Sequence, residues 1–156
     1  GAFERFSSNG EVTVFWPLVG PAPGKDDDFL ASYDADSRGA GSESVLRWRH
    51  VLAASDAVLI ASPEYGFSLP GALKNAIDWV IGSGELEGKI VAITAAVPGP
   101  QRGRRGLQAL RDTLSAVRAS IVGGEPIPIG PEFERRVGAL VNDLIHAVRT
   151  KGRDGA

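Results

Sequence analysis

Residues 57–80 read AVLIASPEYGFSLPGALKNAIDWV, and the fold follows from how this stretch changes character. Its first five residues form a continuous apolar run, the pattern of a strand buried on both faces. A short polar turn follows, and Pro70 then stands where a helix takes its first residue. Beyond it Leu73, Ala76, Ile77 and Val80 recur on one helical face, and Gly82 and Gly84 end the helix. Strand, loop and helix in that order are the opening of a parallel βαβ unit.

The same alternation continues outward. Residues 90–96 (IVAITAA) read as a second buried strand, followed by a Gly/Pro/Arg loop over 97–106. Leu107, Leu110, Leu114 and Val117 mark another amphipathic helix. Residues 120–122 make a short strand that passes into a Pro-punctuated loop up to residue 129. Phe133, Val137, Leu140, Val141, Leu144, Ile145 and Val148 then hold one helical register throughout. Upstream, residues 11–16 (EVTVFW) read as a strand that stops at Pro17. Residues 17–41, rich in Pro, Gly, Asp and Ser, read as a long loop of the kind that binds ligands or stays disordered. Ser42 or Ser44 can cap a helix carrying Val45, Trp48, Val51 and Leu52. There is no internal repeat and no domain boundary, so residues 1–156 read as a single α/β domain.

Composition narrows the function. The 156 residues carry 17 basic and 19 acidic side chains, a net charge of −2, which does not suit a chain built to bind nucleic acid. With no cysteine there is no disulfide, thiolate nucleophile or cysteine-ligated cluster. No apolar run approaches the roughly 20 residues that span a bilayer. The chain also lacks methionine and begins at Gly1, so it is not expected to start at a native translation start.

Ligands of open parallel sheets bind beyond the carboxyl ends of the strands. Three loops qualify: 17–41, 62–69 and 97–106. The middle one is the most informative. Two prolines stiffen it, Gly66 allows close backbone approach, and Tyr65 and Phe67 offer flat apolar surface. Its N–H groups, near a helix start, can donate to carbonyl oxygens or anions. A planar, carbonyl-bearing aromatic ligand suits such a loop; a well-packed turn is the alternative on spacing alone.

Residues 62–79, SPEYGFSLPGALKNAIDW, closely resemble the signature of the NADPH-dependent FMN reductases, the flavodoxin-like quinone, azo-dye and chromate reductases. The likeness extends over residues 46–61, 84–96 and 107–121, roughly half of the chain. It implies a flavodoxin-like, doubly wound parallel sheet of order 2-1-3-4-5, with FMN across the strand ends. It also implies that Pro63, Glu64, Tyr65 and Gly66 line the flavin edge, mostly through backbone groups, with Phe67 and Ser68 completing the wall. Family members usually carry Asn in place of Gly66. Lys74, Asn75, Asp78 and Trp79 share the signature but fall inside the helix, where packing or a subunit contact is expected. Two departures stand out. Residues 96–100 (AVPGP) replace a Ser- and Gly-rich loop, and nothing matches the family's first strand and phosphate loop. Residues 1–6 then resemble the tail of the first helix and residues 11–16 the second strand. About 25–30 residues, one strand–loop–helix unit, are thus expected to be missing, leaving a central gap between residues 11–16 and 57–61. Ser7, Ser8, Asn9 and Gly10 read as a turn.

The resemblance implies hydride transfer from NADPH or NADH to flavin N5 and onward to a quinone, azo dye, flavin or similar small-molecule acceptor. The cofactor carries that chemistry, so no catalytic acid, base or nucleophile is assigned. A homodimer or homotetramer, a cytoplasmic location, and no nucleic-acid or membrane partner complete the expectation. A non-catalytic flavin or nucleotide binder on the same fold is the alternative.

Other features rank lower. The basic run Arg102, Arg104 and Arg105 opposes the dipole of the helix that follows, making an anion partner such as the NADPH 2′-phosphate a candidate. Asp26, Asp27, Asp28, Asp34 and Asp36 lack calcium-loop spacing and read as a solvated rim. His50 and His146 have no partner at metal-ligand spacing, and no metal is assigned. Residues 66–70 (GFSLP) miss the nucleophile elbow by one residue, which leaves a serine hydrolase using Ser68 as a remote alternative.

Overall fold

The computed structural model describes residues 4–7, 11–15, 30, 32–37 and 43–154. Five strands form one sheet in the order β1 (Glu4–Ser7), β2 (Glu11–Phe15), β3 (Ala57–Ala61), β4 (Ile90–Val97), β5 (Ser120–Pro128). β1 runs antiparallel to β2, and each later neighbour pairs in parallel. Among the described residues four α-helices connect or flank them: α1 (Glu43–Ala54), α2 (Gly71–Ile81), α3 (Arg104–Ala116) and α4 (Phe133–Asp154).

The two-residue period of β3 and β4 divides the core. Val58, Ile60, Val91, Ile93, Ala95 and Val97 face one way, against Trp48 and Leu52 of α1, Leu73 and Ile77 of α2, and Leu110 and Leu114 of α3. Ala57, Leu59, Ile90 and Ala92 face the other way, against Leu140 and Leu144 of α4. Both faces of the sheet are therefore covered, which is why the two strands read as unbroken apolar runs. Trp48 Nε1 donates to the Ala76 carbonyl at 2.9 Å, tying α1 to α2 inside the core.

Four expectations need correction. The order 2-1-3-4-5, with another strand between residues 11–16 and 57–61, is not the one observed: Val12 to Phe15 pair directly with Ala57 to Ile60. A doubly buried strand such as β3 carries an edge of N–H and C=O groups that must be paired, and β2 pairs them with no central gap. Residues 1–6 were expected as the tail of a helix, yet Glu4–Ser7 is a strand whose Ser7 stands opposite Glu11. The Asn9-Gly10 dipeptide, a strong hairpin signal, was the clue in the sequence; both residues lie outside the described ones. β5 is not a three-residue strand but runs for nine residues to Pro128. It tolerates Pro126 and Pro128 because it is an edge strand. Finally, α3 begins at Arg104, so Arg104, Arg105 and Gly106 form its first turn rather than a loop.

Candidate functional site

The site is built at the carboxyl ends of β3 and β4. Beyond β3 the ladder gains one more rung, with the Ser62 amide donating to the Thr94 carbonyl at 2.9 Å. Tyr65 and Ser68 then exchange both backbone hydrogen bonds, Tyr65 N to Ser68 O at 3.0 Å and Ser68 N to Tyr65 O at 2.9 Å. Gly66 and Phe67 form the tip of this hairpin with φ of 55° and 63°. Two positive φ values in succession are the signature of a type I′ turn. Glycine takes that conformation freely and Asn takes it more readily than most residues. For Phe67 the same conformation is strained by about 1–2 kcal/mol. The strain presents its ring outward, 67% exposed, beside a Tyr65 that is 49% exposed.

A second loop closes on the first. After β4, Gly99 accepts from the Arg102 amide at 3.1 Å and Gly103 turns with a φ of 82° to start α3. A Cβ at Gly103 would stand 3.0 Å from Val97 Cγ1 and 3.1 Å from Ala95 Cβ, so only glycine fits without movement. The first turn of α3 then meets the hairpin. The Gly106 amide donates to Glu64 Oε2 at 2.9 Å. A Cβ on Gly106 would come within 3.0 Å of Glu64 Cα and 3.1 Å of the Ser68 carbonyl oxygen. The guanidinium of Arg105 lies over the Phe67 ring, 4.4 Å from its centroid. Arg104 reaches the Pro100 carbonyl and the exposed Glu125 carboxylate, each at 3.3 Å.

Pro63, Glu64, Tyr65, Gly66, Phe67 and Ser68 are thus one compact unit, with one revision. The Glu64 carboxylate faces α3 and occupies its N-terminus. The charge misfit created by Arg104 and Arg105 is accordingly met from within the chain. The helix start has no cap of its own: Gly103 is its N-cap, without a side-chain hydrogen bond, and its first turn holds no acidic residue. That deficit was visible in the sequence, but its partner 42 residues upstream was not.

The remaining signature residues pack. Lys74 pairs with Asp78 one turn away, and Trp79 is buried. Asn75 Oδ1 accepts from the Tyr33 amide at 2.7 Å, while the Tyr33 ring meets Trp79 edge-on at 5.2 Å. A segment of the long acidic loop therefore docks on α2. Asp34 Oδ1 accepts from the Asp36 amide at 3.0 Å, and Asp26, Asp27 and Asp28 lie outside the described residues. His50 and His146 are exposed on α1 and α4, and no group of three potential metal ligands occurs among the described residues. Ser68 sits in the hairpin pair, seven residues past the last residue of β3 at Ala61. A nucleophile elbow needs its serine on the strand-to-helix turn itself.

A mainly parallel sheet with helices on both faces and an aromatic loop beyond β3 defines a flavodoxin-like α/β domain. Comparison with known proteins takes this further. The chain matches the NADPH-dependent FMN reductase family over residues 7–131. It is 29% identical to the quinone reductase of Escherichia coli K12 over 154 residues, 93% of this chain and 81% of that protein. It is 28% identical to the NADPH azoreductase of Bacillus sp. strain OY1-2 over 120 residues, 76% of this chain and 67% of that one. Among solved structures, the flavoenzyme NAD(P)H:(acceptor) oxidoreductase of Paracoccus denitrificans superposes with a TM-score of 0.64 at 30% identity, covering 77% of this chain and 74% of that one. The chain belongs to the NADPH-dependent FMN reductase family. It is an oxidoreductase whose cofactor is FMN and whose reductant is NAD(P)H.

The residues present fit the flavin ring. The turn at Gly66 and Phe67 is rigid and exposed, its aromatic side chains provide flat surface, and its backbone lies against a helix start. An isoalloxazine needs that combination of apolar face and hydrogen-bonding edge.

Proposed function

We propose that the chain passes hydride equivalents from NAD(P)H to a quinone, azo compound, flavin or similar small-molecule acceptor in the cytoplasm, as part of a homodimer or homotetramer. FMN, when bound, supplies hydride acceptance and delivery at N5. The chain's residues bind and orient. Pro63, Glu64, Tyr65 and Gly66 present backbone groups to the ring edge, while Phe67 and Ser68 form the wall beside it. Arg104 and Arg105, exposed next to this wall, are the candidates for the adenosine 2′-phosphate of NADPH, since planar guanidinium forks match phosphate oxygens.

The observation that carries the reading is the double-positive-φ turn at Gly66 and Phe67, which holds an exposed aromatic pair rigidly at the carboxyl end of a central strand. The test is anaerobic titration of the FMN-loaded chain with NADPH. The flavin band is expected to bleach with one equivalent and to return when a quinone is added. A chain that binds FMN but is not bleached is a flavin-binding module, the alternative reading.

A further inference from the structure

The backbone of residue 64 is assigned to the flavin edge, while its carboxylate turns away to the amide of Gly106. We propose that Glu64 is a positioning residue, whose carboxylate caps α3 across the site and so fixes the flavin-binding turn to the start of that helix. The proposal rests on the assignment of FMN to residues 63–68.

Three observations converge. First, α3 has an electrostatic deficit at its start: Gly103 offers no side-chain cap, and Arg104 and Arg105 put positive charge at the positive end of the helix dipole. Second, the missing acceptor comes from Glu64, whose Oε2 takes the Gly106 amide at 2.9 Å. An ionised carboxylate on a helix N–H is among the stronger hydrogen bonds available to a protein. Third, the backbones can approach this closely only because residue 106 is glycine, as its Cβ would press on Glu64 Cα and Ser68 O at 3.0 and 3.1 Å. The contact is reinforced at the tip, where Arg105 covers Phe67 at 4.4 Å.

One carboxylate thus joins the loop beyond β3 to the first turn of α3 at the sheet's ligand end. Without it the hairpin keeps its own Tyr65–Ser68 bonds and the Arg105–Phe67 contact but loses the hydrogen bond that sets its distance from α3. A ligand edge that depends on the placement of backbone groups within a fraction of an ångström is sensitive to such a shift.

Glu64→Ala, Glu64→Gln and Gly106→Ala in the full chain test this. Gly106 amide exchange, measured without FMN, reads the cap itself; FMN dissociation constants, measured by fluorescence quenching, read its effect on the site. Glu64→Ala is expected to speed Gly106 exchange and to weaken FMN binding about tenfold, the scale of one lost cap. Glu64→Gln retains an acceptor oxygen at the same reach and restores affinity to within about threefold of the parent. Gly106→Ala, which leaves the hairpin sequence intact, weakens FMN in the same direction as Glu64→Ala. FMN affinity unchanged in both alanine variants overturns the proposal and leaves the flavin assignment standing. A parent chain that takes up no FMN overturns that assignment and the positioning role together, while Gly106 protection lost in Glu64→Ala still shows the cap.

Discussion

Gly123→Ala is expected to lower the unfolding free energy by about 2–4 kcal/mol, combining overpacking with backbone strain. Gly123 sits where β5 departs from regular pairing. Ile93 stands opposite Gly123, but Ala95 stands opposite Pro126, so β5 carries one extra residue at this step. Gly123 and Gly124 absorb the bulge with φ of 72° and 108°. A Cβ at Gly123 would lie 2.5 Å from Leu140 Cδ1 and 3.2 Å from the Ile93 carbonyl oxygen. The leucine must move aside from a core position between α4 and the sheet, and the carbonyl belongs to β4, an interior strand. A thermal melt should show a drop of about 5–12 °C for a chain of this size. A change below about 0.5 kcal/mol would mean that the bulge relaxes without penalty.

The second large effect concerns the nicotinamide. Replacing Arg104 and Arg105 together with Ala should reduce the NADPH-over-NADH preference in kcat/KM by about 10- to 100-fold, the scale of losing charge-assisted phosphate contacts. Little competes for these arginines at present. The Arg104–Glu125 pair is exposed on both sides, with side chains 54% and 71% accessible, and such pairs add little to stability. Arg105 rests on an exposed ring rather than in a carboxylate. Preference unchanged in the double variant would confine the two arginines to holding the loop.

The parts of this fold that could be read from sequence are those where local pattern and burial agree. β3, α2 and β4 were legible because both faces of the strands are buried and Pro70 and Gly82 punctuate the helix at its caps. The end of β5 was hidden because prolines that would break a central strand are harmless at an edge. The position of β2 was hidden for another reason. Pairing partners are chosen across the whole chain, and a family-based strand order left a place beside β3 that Val12 to Phe15 occupy. At the site, residues 63–66 were expected at the flavin edge through their backbone, and what the structure adds is that position 66 takes a positive φ of 55°, which suits glycine. Glu64 was placed at the flavin edge as part of a motif, whereas its side chain is bonded to an amide 42 residues away. A contact of that separation has no periodicity to reveal it; the only trace in the sequence was a run of arginines set against the dipole of the helix that follows.

Hydrogen exchange at the amides of Gly66 and Phe67, with and without saturating FMN, tests the central claim most directly. The account predicts that FMN slows exchange at this turn by about tenfold or more, with the amides around Leu144 in the middle of α4 unchanged. Protection confined to other segments, with the turn exchanging as it does in the free chain, would contradict it.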